Sequence, residues 1–351
     1  MFAYVGSYTS AQRKGHGPGI GVYEMDTATG AWTPVQTVGE LVNPSFLTLD
    51  RRRRALYAAH GDEDYATAFA IDPLTGRLTP LGRQSTGGKN GVHLAVDATN
   101  RFLVVGNYAS GTVALLPIAR DGSLEPLSDL VTLTGTPGPD PVQQTSSHPH
   151  AVPFDRSGRY VVVPDKGLDK VFVFRLDATR GKLMAAYPPA VAARPGAAPR
   201  HADFHPHAPV AYVNNELDST ITTYRFDPES SAIEPLQVVS TLPAGFSAKN
   251  TTAEIGVAPS GRFVYVSNRG HNSIAILAVD EATGQLSPVG WEPAQGTTPR
   301  FFALDPSGTF LYVANQNSDT IVAFRVDPTT GTLAPTGHVV QTGSPSSIVF
   351  R

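Results

Sequence analysis

Two stretches of this chain, PRHADFHPHAPVAYVNNE (Pro199 to Glu216) and PRFFALDPSGTFLYVANQ (Pro299 to Gln316), are copies of one template. In each, a short apolar strand runs into a turn and returns as a second strand that ends in a polar cluster. Looser copies occupy the rest of the chain, and self-similarity of this kind marks a repeat architecture. Aligned on the second strand, Tyr8, Gly61, Tyr108, Lys166, Glu216, Arg269 and Gln316 become equivalent, about fifty residues apart. A second marker agrees: a tight turn recurs at Gly30, Gly76, Gly122, Gly181, Ser231, Gly284 and Gly331. Glycine supplies the positive φ such a hairpin needs, and only the fifth copy has lost it.

Between the markers lie short runs rich in Val, Ile, Phe and Tyr, such as VFVFRLD (Val171 to Asp177) and TIVAFRVD (Thr320 to Asp327). None carries helical periodicity. Four antiparallel strands per fifty-residue unit predict an all-β, seven-bladed β-propeller. The N-terminus opens on the template's second strand, FAYVGSY, and the C-terminus finishes on its first, PSSIVF. One blade is therefore expected to be built from both ends of the chain, which leaves no open edge in the ring. Repeats from end to end leave no linker, so residues 1–351 are expected to form a single domain.

Composition narrows the function. A net charge of −3 offers no general attraction for nucleic acid or an anionic membrane, and no apolar run is long enough to span a bilayer. The one basic run, Arg51 to Arg54, falls at a hairpin tip. Cysteine is absent, which removes disulfides and thiolate chemistry. The start of the chain has no basic segment followed by an apolar stretch, so a cytoplasmic protein is expected, and a monomer.

Polar residues that break the repeat gather at one end of the blades. First strands start with His93, His148, His150, Arg200, His201, Glu254 and Arg300, and second strands end with Tyr8, Tyr108, Lys166, Glu216 and Arg269. In a propeller the first strand is innermost, so both sets surround one mouth of the central channel. The opposite ends carry ordinary turn residues. Asn107, Asn214, Asn215, Asn268 and Asn315 are expected to cap turns. Charged groups beside a narrow channel are costly unless paired or used, which marks the others as site candidates. HADFHPH imitates a metal motif, but alignment sends His205 and His207 to the far hairpin, so no metal site and no cofactor is expected. There is also no nucleophile elbow and no phosphate-binding glycine loop.

The phrases NPSFLTLD, HPHAVPFDRSGRYVVVPDKGLDKV, PRHADFHPHAPVAYVNNELDST, FVYVSNRGHNSIAI and TTPRFFALDPSGTFLYVANQNSDTI resemble the seven-bladed propeller lactonase family. That family embraces propeller-type 6-phosphogluconolactonases and carboxy-cis,cis-muconate lactonising enzymes. The resemblance implies hydrolysis of a small anionic lactone, foremost 6-phosphoglucono-δ-lactone. It places the catalytic His, Arg, Glu and Arg on His148, Arg200, Glu216 and Arg269. Glu216 or His148 is then the expected general base, with Arg200 and Arg269 on the oxyanion. Arg300 and Lys166 are candidates for a distal phosphate or carboxylate, and His93, His150, His201 and Glu254 for contacts to substrate or to its ligands. A different lactone, a cycloisomerase and a non-enzymatic binding propeller are the alternatives. The segment HGDEDYATAF, which has no counterpart in the resemblance, is expected to shape one wall of the pocket.

Overall fold

The computed structural model describes Met1–Arg351 as a closed ring of seven antiparallel sheets. Blade one pairs the C-terminal strand Pro345–Phe350 with Phe2–Ser7, Ile20–Met25 and Trp32–Val38, so the two chain ends do meet in one blade. Blade two runs from Pro44 to Ser85, blade three from Gly91 to Thr132, blade five from Pro199 to Ser240, blade six from Thr251 to Pro293 and blade seven from Pro299 to Gln341. Each has its first strand innermost and four strands in sequence order. Helix is limited to the single turns Ala11–Arg13 and Gln316–Ser318, and no helix is long and apolar enough to cross a membrane.

Blade four departs from the pattern. Only Tyr160–Asp165, Lys170–Asp177 and Lys182–Ala192 form a regular sheet, and the innermost segment is attached by isolated bridges, Pro149 to Asp165 and Phe154 to Val161. Pro149 and Pro153 explain this, because each removes a backbone N–H from the ladder. The amide of His150 still reaches Pro164 O (3.0 Å) and Val162 N still reaches Pro153 O (3.0 Å), so the segment keeps its place in the ring.

Apolar residues alternate along the strands and meet between neighbouring blades. Phe263, Tyr265 and Ile276 of blade six pack on Leu311, Val313 and Phe324 of blade seven, and the same interlock recurs around the ring. A tyrosine four residues before the second-strand marker latches blade to blade. The hydroxyls of Tyr4, Tyr57, Tyr212, Tyr265 and Tyr312 each donate to the carbonyl of the next blade's turn glycine, at 2.9 Å. The equivalent residues in blades three and four are Val104 and Val162. Ser231, the turn residue facing Val162's blade, thus has no latch to accept and still holds φ at +61° without glycine. At Gly331 the requirement is stricter: φ is +74°, and a Cβ there would stand 2.4 Å from the Phe263 ring.

At the hairpin between first and second strands, an aspartate accepts backbone amides. Asp50, Asp97, Asp155 and Asp305 do so in blades two, three, four and seven. In blade five His205 takes that place, with Nδ1 accepting from the amides of His207 and Ala208 and Nε2 donating to Gly261 O. The histidine cluster is accordingly split between the two ends of the channel.

Candidate active site

The mouth is built from two positions of the repeat. Inner strands begin with a register shift, between Pro44 and Phe46, Gly91 and His93, Pro199 and His201, Thr252 and Ile255, and Pro299 and Phe301. A bulge of this kind places one residue outside the ladder and re-aims its side chain. The extra residue is Val92 in blade three, Arg200 in blade five and Arg300 in blade seven. By the same alignment it is His150 in blade four. The second position is the marker at the end of the neighbouring strand, which contributes Tyr8, Tyr108, Lys166, Glu216 and Arg269. All of these except Arg200 line one pocket of about 220 Å³, together with Arg13, Asn90 and Gln143.

Glu216 is the hub. Its Oε1 accepts from Lys166 Nζ at 2.9 Å and lies 3.2 Å from an Arg269 terminal nitrogen, while Oε2 lies 3.1 Å from Arg200 Nε. Glu216 is 7% exposed and Arg200 2%. Burial is the largest single influence on the Glu216 carboxyl and pushes it up, but Arg269, Lys166 and Arg200 together overturn it and hold the carboxyl well below the usual range. Backbone carbonyls fix the two arginines further: Arg269 donates to Thr252 O at 2.7 Å and Arg200 to Ala253 O. Lys166 also donates to Gln143 Oε1 at 2.7 Å. Burial pulls the Lys166 ammonium down, and Glu216 restores part of its affinity for the proton.

Arg300 differs from the other cations. It donates to Tyr8 Oη at 2.8 Å, lies over that ring with 5.1 Å to the centroid, and meets no carboxylate. Three cations, Lys166, Arg200 and Arg269, thus surround the single carboxylate of Glu216, and Arg300 and Arg13 add to the charge of the mouth without touching it.

The remaining candidates occupy other depths. His148 lies behind the mouth: its ring stacks on Tyr108 at 4.4 Å and 7°, and its Nδ1 donates to Tyr108 O at 3.0 Å. His150, two residues on, is the histidine that lines the pocket. His201 and Glu254 form a pair one layer deeper, with His93 beside them at 5.4 Å between rings. Below the mouth is a chamber of about 10 Å³, the least that admits one water, bounded by His150, His201, Arg200 and Arg300.

Sequence reasoning missed Arg13, Asn90 and Gln143. Arg13 stands on a loop of twelve residues between Ser7 and Ile20, where His60 and Tyr65 are separated by four, and that excess length was the available signal. It pairs with Asp62, which belongs to the segment HGDEDYATAF, so that segment does reach the rim. Gln143 comes from the long link between blades three and four, which Gln144 anchors through Lys166 O at 2.9 Å. The asparagines tie rim loops, as when Asn107, Asn268 and Asn315 donate to Thr86, Thr241 and Ala294 carbonyls. A larger apolar groove, about 530 Å³, lies between the outer strands of blades three and four, with Lys170 its one charged group.

Known proteins resemble this chain over most of its length. The family model described as "Lactonase, 7-bladed beta-propeller" matches residues 2–350. The chain is 36% identical over 305 residues to a 6-phosphogluconolactonase of Bacillus subtilis, covering 86% of this chain and 84% of that one. It is 32% identical to a 6-phosphogluconolactonase of Formosa agariphila over 86% of each chain. Among solved structures, the periplasmic gluconolactonase of Pseudomonas aeruginosa superposes with a TM-score of 0.92 at 34% identity, covering 99% of this chain and 98% of that one.

Proposed function

The chain belongs to the seven-bladed β-propeller lactonase family, and on that premise we propose that it hydrolyses 6-phosphoglucono-δ-lactone to 6-phosphogluconate. The observation that carries this reading is the charge of the mouth, where Arg13, Lys166, Arg269 and Arg300 line a pocket suited to a single sugar ring, Arg200 lies behind it, and Glu216 is the one carboxylate of the lining. Such a field selects a small anionic substrate and stabilises negative charge as it develops.

The cations divide the work. Arg269, held by Glu216 and Thr252 O and lining the pocket, is preorganised to stabilise an oxyanion on the lactone carbonyl, while Arg200, buried behind the lining, fixes Glu216 and adds its positive field. Arg300 makes no ion pair and takes the phosphate. Lys166, already bound to Glu216 and Gln143, is poorly placed for that task. Glu216 is an anchor rather than a general base, because both of its oxygens are already engaged by Lys166, Arg269 and Arg200. His148 acts through Tyr108, whose ring it supports. In the reaction the water oxygen bonds to the carbonyl carbon, the ring C–O bond breaks, and a water proton ends on the departing ring oxygen. A phosphorylated sugar does not cross membranes unaided, so this reading goes with a cytoplasmic reaction.

A second reading follows from the Pseudomonas aeruginosa neighbour, whose name specifies gluconolactone without phosphate. A pH-stat comparison of 6-phosphogluconolactone with glucono-δ-lactone separates the two. Strong preference for the phosphorylated ring supports the first reading, equal or better turnover of glucono-δ-lactone supports the second, and rates no higher than spontaneous hydrolysis on both refute lactone hydrolysis of this type.

A further inference from the structure

Beneath the mouth, two buried histidines and a carboxyl form a column that the roles above leave unused. His150 is 6% exposed and lines both the mouth pocket and the chamber below it. His201, 3% exposed, holds its Nδ1 3.0 and 3.1 Å from the two carboxylate oxygens of Glu254. The two imidazoles meet at 60° with centroids 5.1 Å apart. One nitrogen on each, His150 Nδ1 and His201 Nε2, is buried without a partner. An unsatisfied buried polar atom costs about 1–3 kcal/mol, and a single hydrogen bond between these two would satisfy both.

The structure does not make that bond; once the two rings close onto one another, and while Glu254 is ionised, it has one direction. A carboxylate only accepts, so His201 carries its hydrogen on Nδ1 and presents Nε2 as an acceptor. His150 then donates from Nδ1, which leaves a lone pair on its Nε2, the ring nitrogen that is not sealed away from the mouth. Protonation of Glu254 reverses each bond and turns His150 Nε2 into a donor.

We propose that His150 Nε2 accepts the proton of the attacking water, and that His201 and Glu254 are positioning residues that set its tautomer. This rests on lactone hydrolysis at the mouth. The water oxygen bonds to the carbonyl carbon as its proton passes to His150 Nε2, and the same proton goes to the ring oxygen when the ring C–O bond breaks. No further reactant is required. Burial, reinforced by Arg200, holds both histidines well below their ordinary pKa, so they are neutral as the column needs. The groups facing Glu254 are His201, Arg200, Arg300 and Asp203; burial raises its carboxyl to about 8 against the pull of Arg200 and Arg300. The acceptor form of His150 therefore grows as pH rises through that value.

Two measurements on the full chain test this. Nitrogen-15 histidine spectra at about pH 9 should show His150 and His201 both protonated on Nδ1. Both should change tautomer as pH falls through about 8, and Glu254→Gln should abolish that change. In kinetics, His150→Gln should lower kcat by ~10²-fold with KM little altered, once circular dichroism shows it folded. Glu254→Gln should lower kcat by about tenfold and remove the pH limb, with Glu254→Asp restoring most of the loss. A folded His150→Gln variant with wild-type kcat, or His150 protonated on Nε2 at high pH, overturns the proposal. If the wild-type protein turns over neither lactone, the catalytic role falls with the reading it rests on, and the spectra alone decide whether the column exists.

Discussion

Replacing Glu216 by Gln removes the one anion from a buried cluster of three cations and leaves its shape intact. Lys166, Arg200 and Arg269 then share a space in which their charges have no counter-ion within 3.2 Å. Breaking a buried ion pair from one side costs about 3–5 kcal/mol, and here three partners lose their anion at once. With 351 residues unfolding at about 2.1 cal/mol/K each, that cost lowers Tm by about 4–7 °C. The sign with pH follows from the depressed carboxyl. Its stabilisation is in place above the unfolded carboxylate value near 4.3 and is lost only as pH falls far below it. The gap between wild type and Glu216→Gln should thus stay constant from about pH 5 to pH 8 and close in strong acid. Adding Lys166→Met removes one of the stranded charges, so the double variant should be more stable than additivity allows by about 1 kcal/mol or more. Differential scanning calorimetry measures all of this. A Glu216→Gln variant that melts with the wild type, or a double variant that is simply additive, would refute the cluster as described.

Three other outcomes are expected. Arg300→Met should raise KM for the phosphorylated lactone by ~10- to 100-fold and leave glucono-δ-lactone almost unaffected, which initial-rate kinetics on both substrates will read. Removing Pro345 to Arg351 takes away the closing strand and the buried side chains of Ile348 and Phe350, about 3–6 kcal/mol of burial before the exposed edge is counted, so circular dichroism should show an unfolded or aggregated chain. Glu254, raised to about 8 by burial, and Asp203, raised to about 6, both bind protons more tightly folded than unfolded. Their contribution is full below the unfolded carboxylate range and is lost as pH rises through those values, so wild-type stability should decline from about pH 5 to pH 8 and Glu254→Gln should flatten the slope.

The fold was legible because a repeat states itself many times. Seven turn markers and alternating strands are local properties, and the unmatched half-templates at the two termini announced the closing blade before any coordinate did. The tyrosine latches were visible in the same way, since a Tyr stands four residues before five of the seven markers. The ring of markers around one mouth was readable too, because antiparallel pairing puts those ends together wherever the template recurs.

What the sequence could not decide is which neighbours share an atom. Arg200 and His201 are adjacent in the chain, yet the bulge at the start of the inner strand sends one to Glu216 and the other to Glu254. His148 and His150 differ by two positions, and prolines that loosen the strand place one behind Tyr108 and the other in the pocket. The state of Glu216 against that of Glu254 was equally out of reach. Both are buried glutamates, one depressed because three cations converge on it from three blades and the other raised because desolvation prevails over its cationic neighbours. Strand pairing is dictated by short-range pattern, whereas charge and proton affinity depend on distances between residues some fifty positions apart, and only closure of the ring sets those distances.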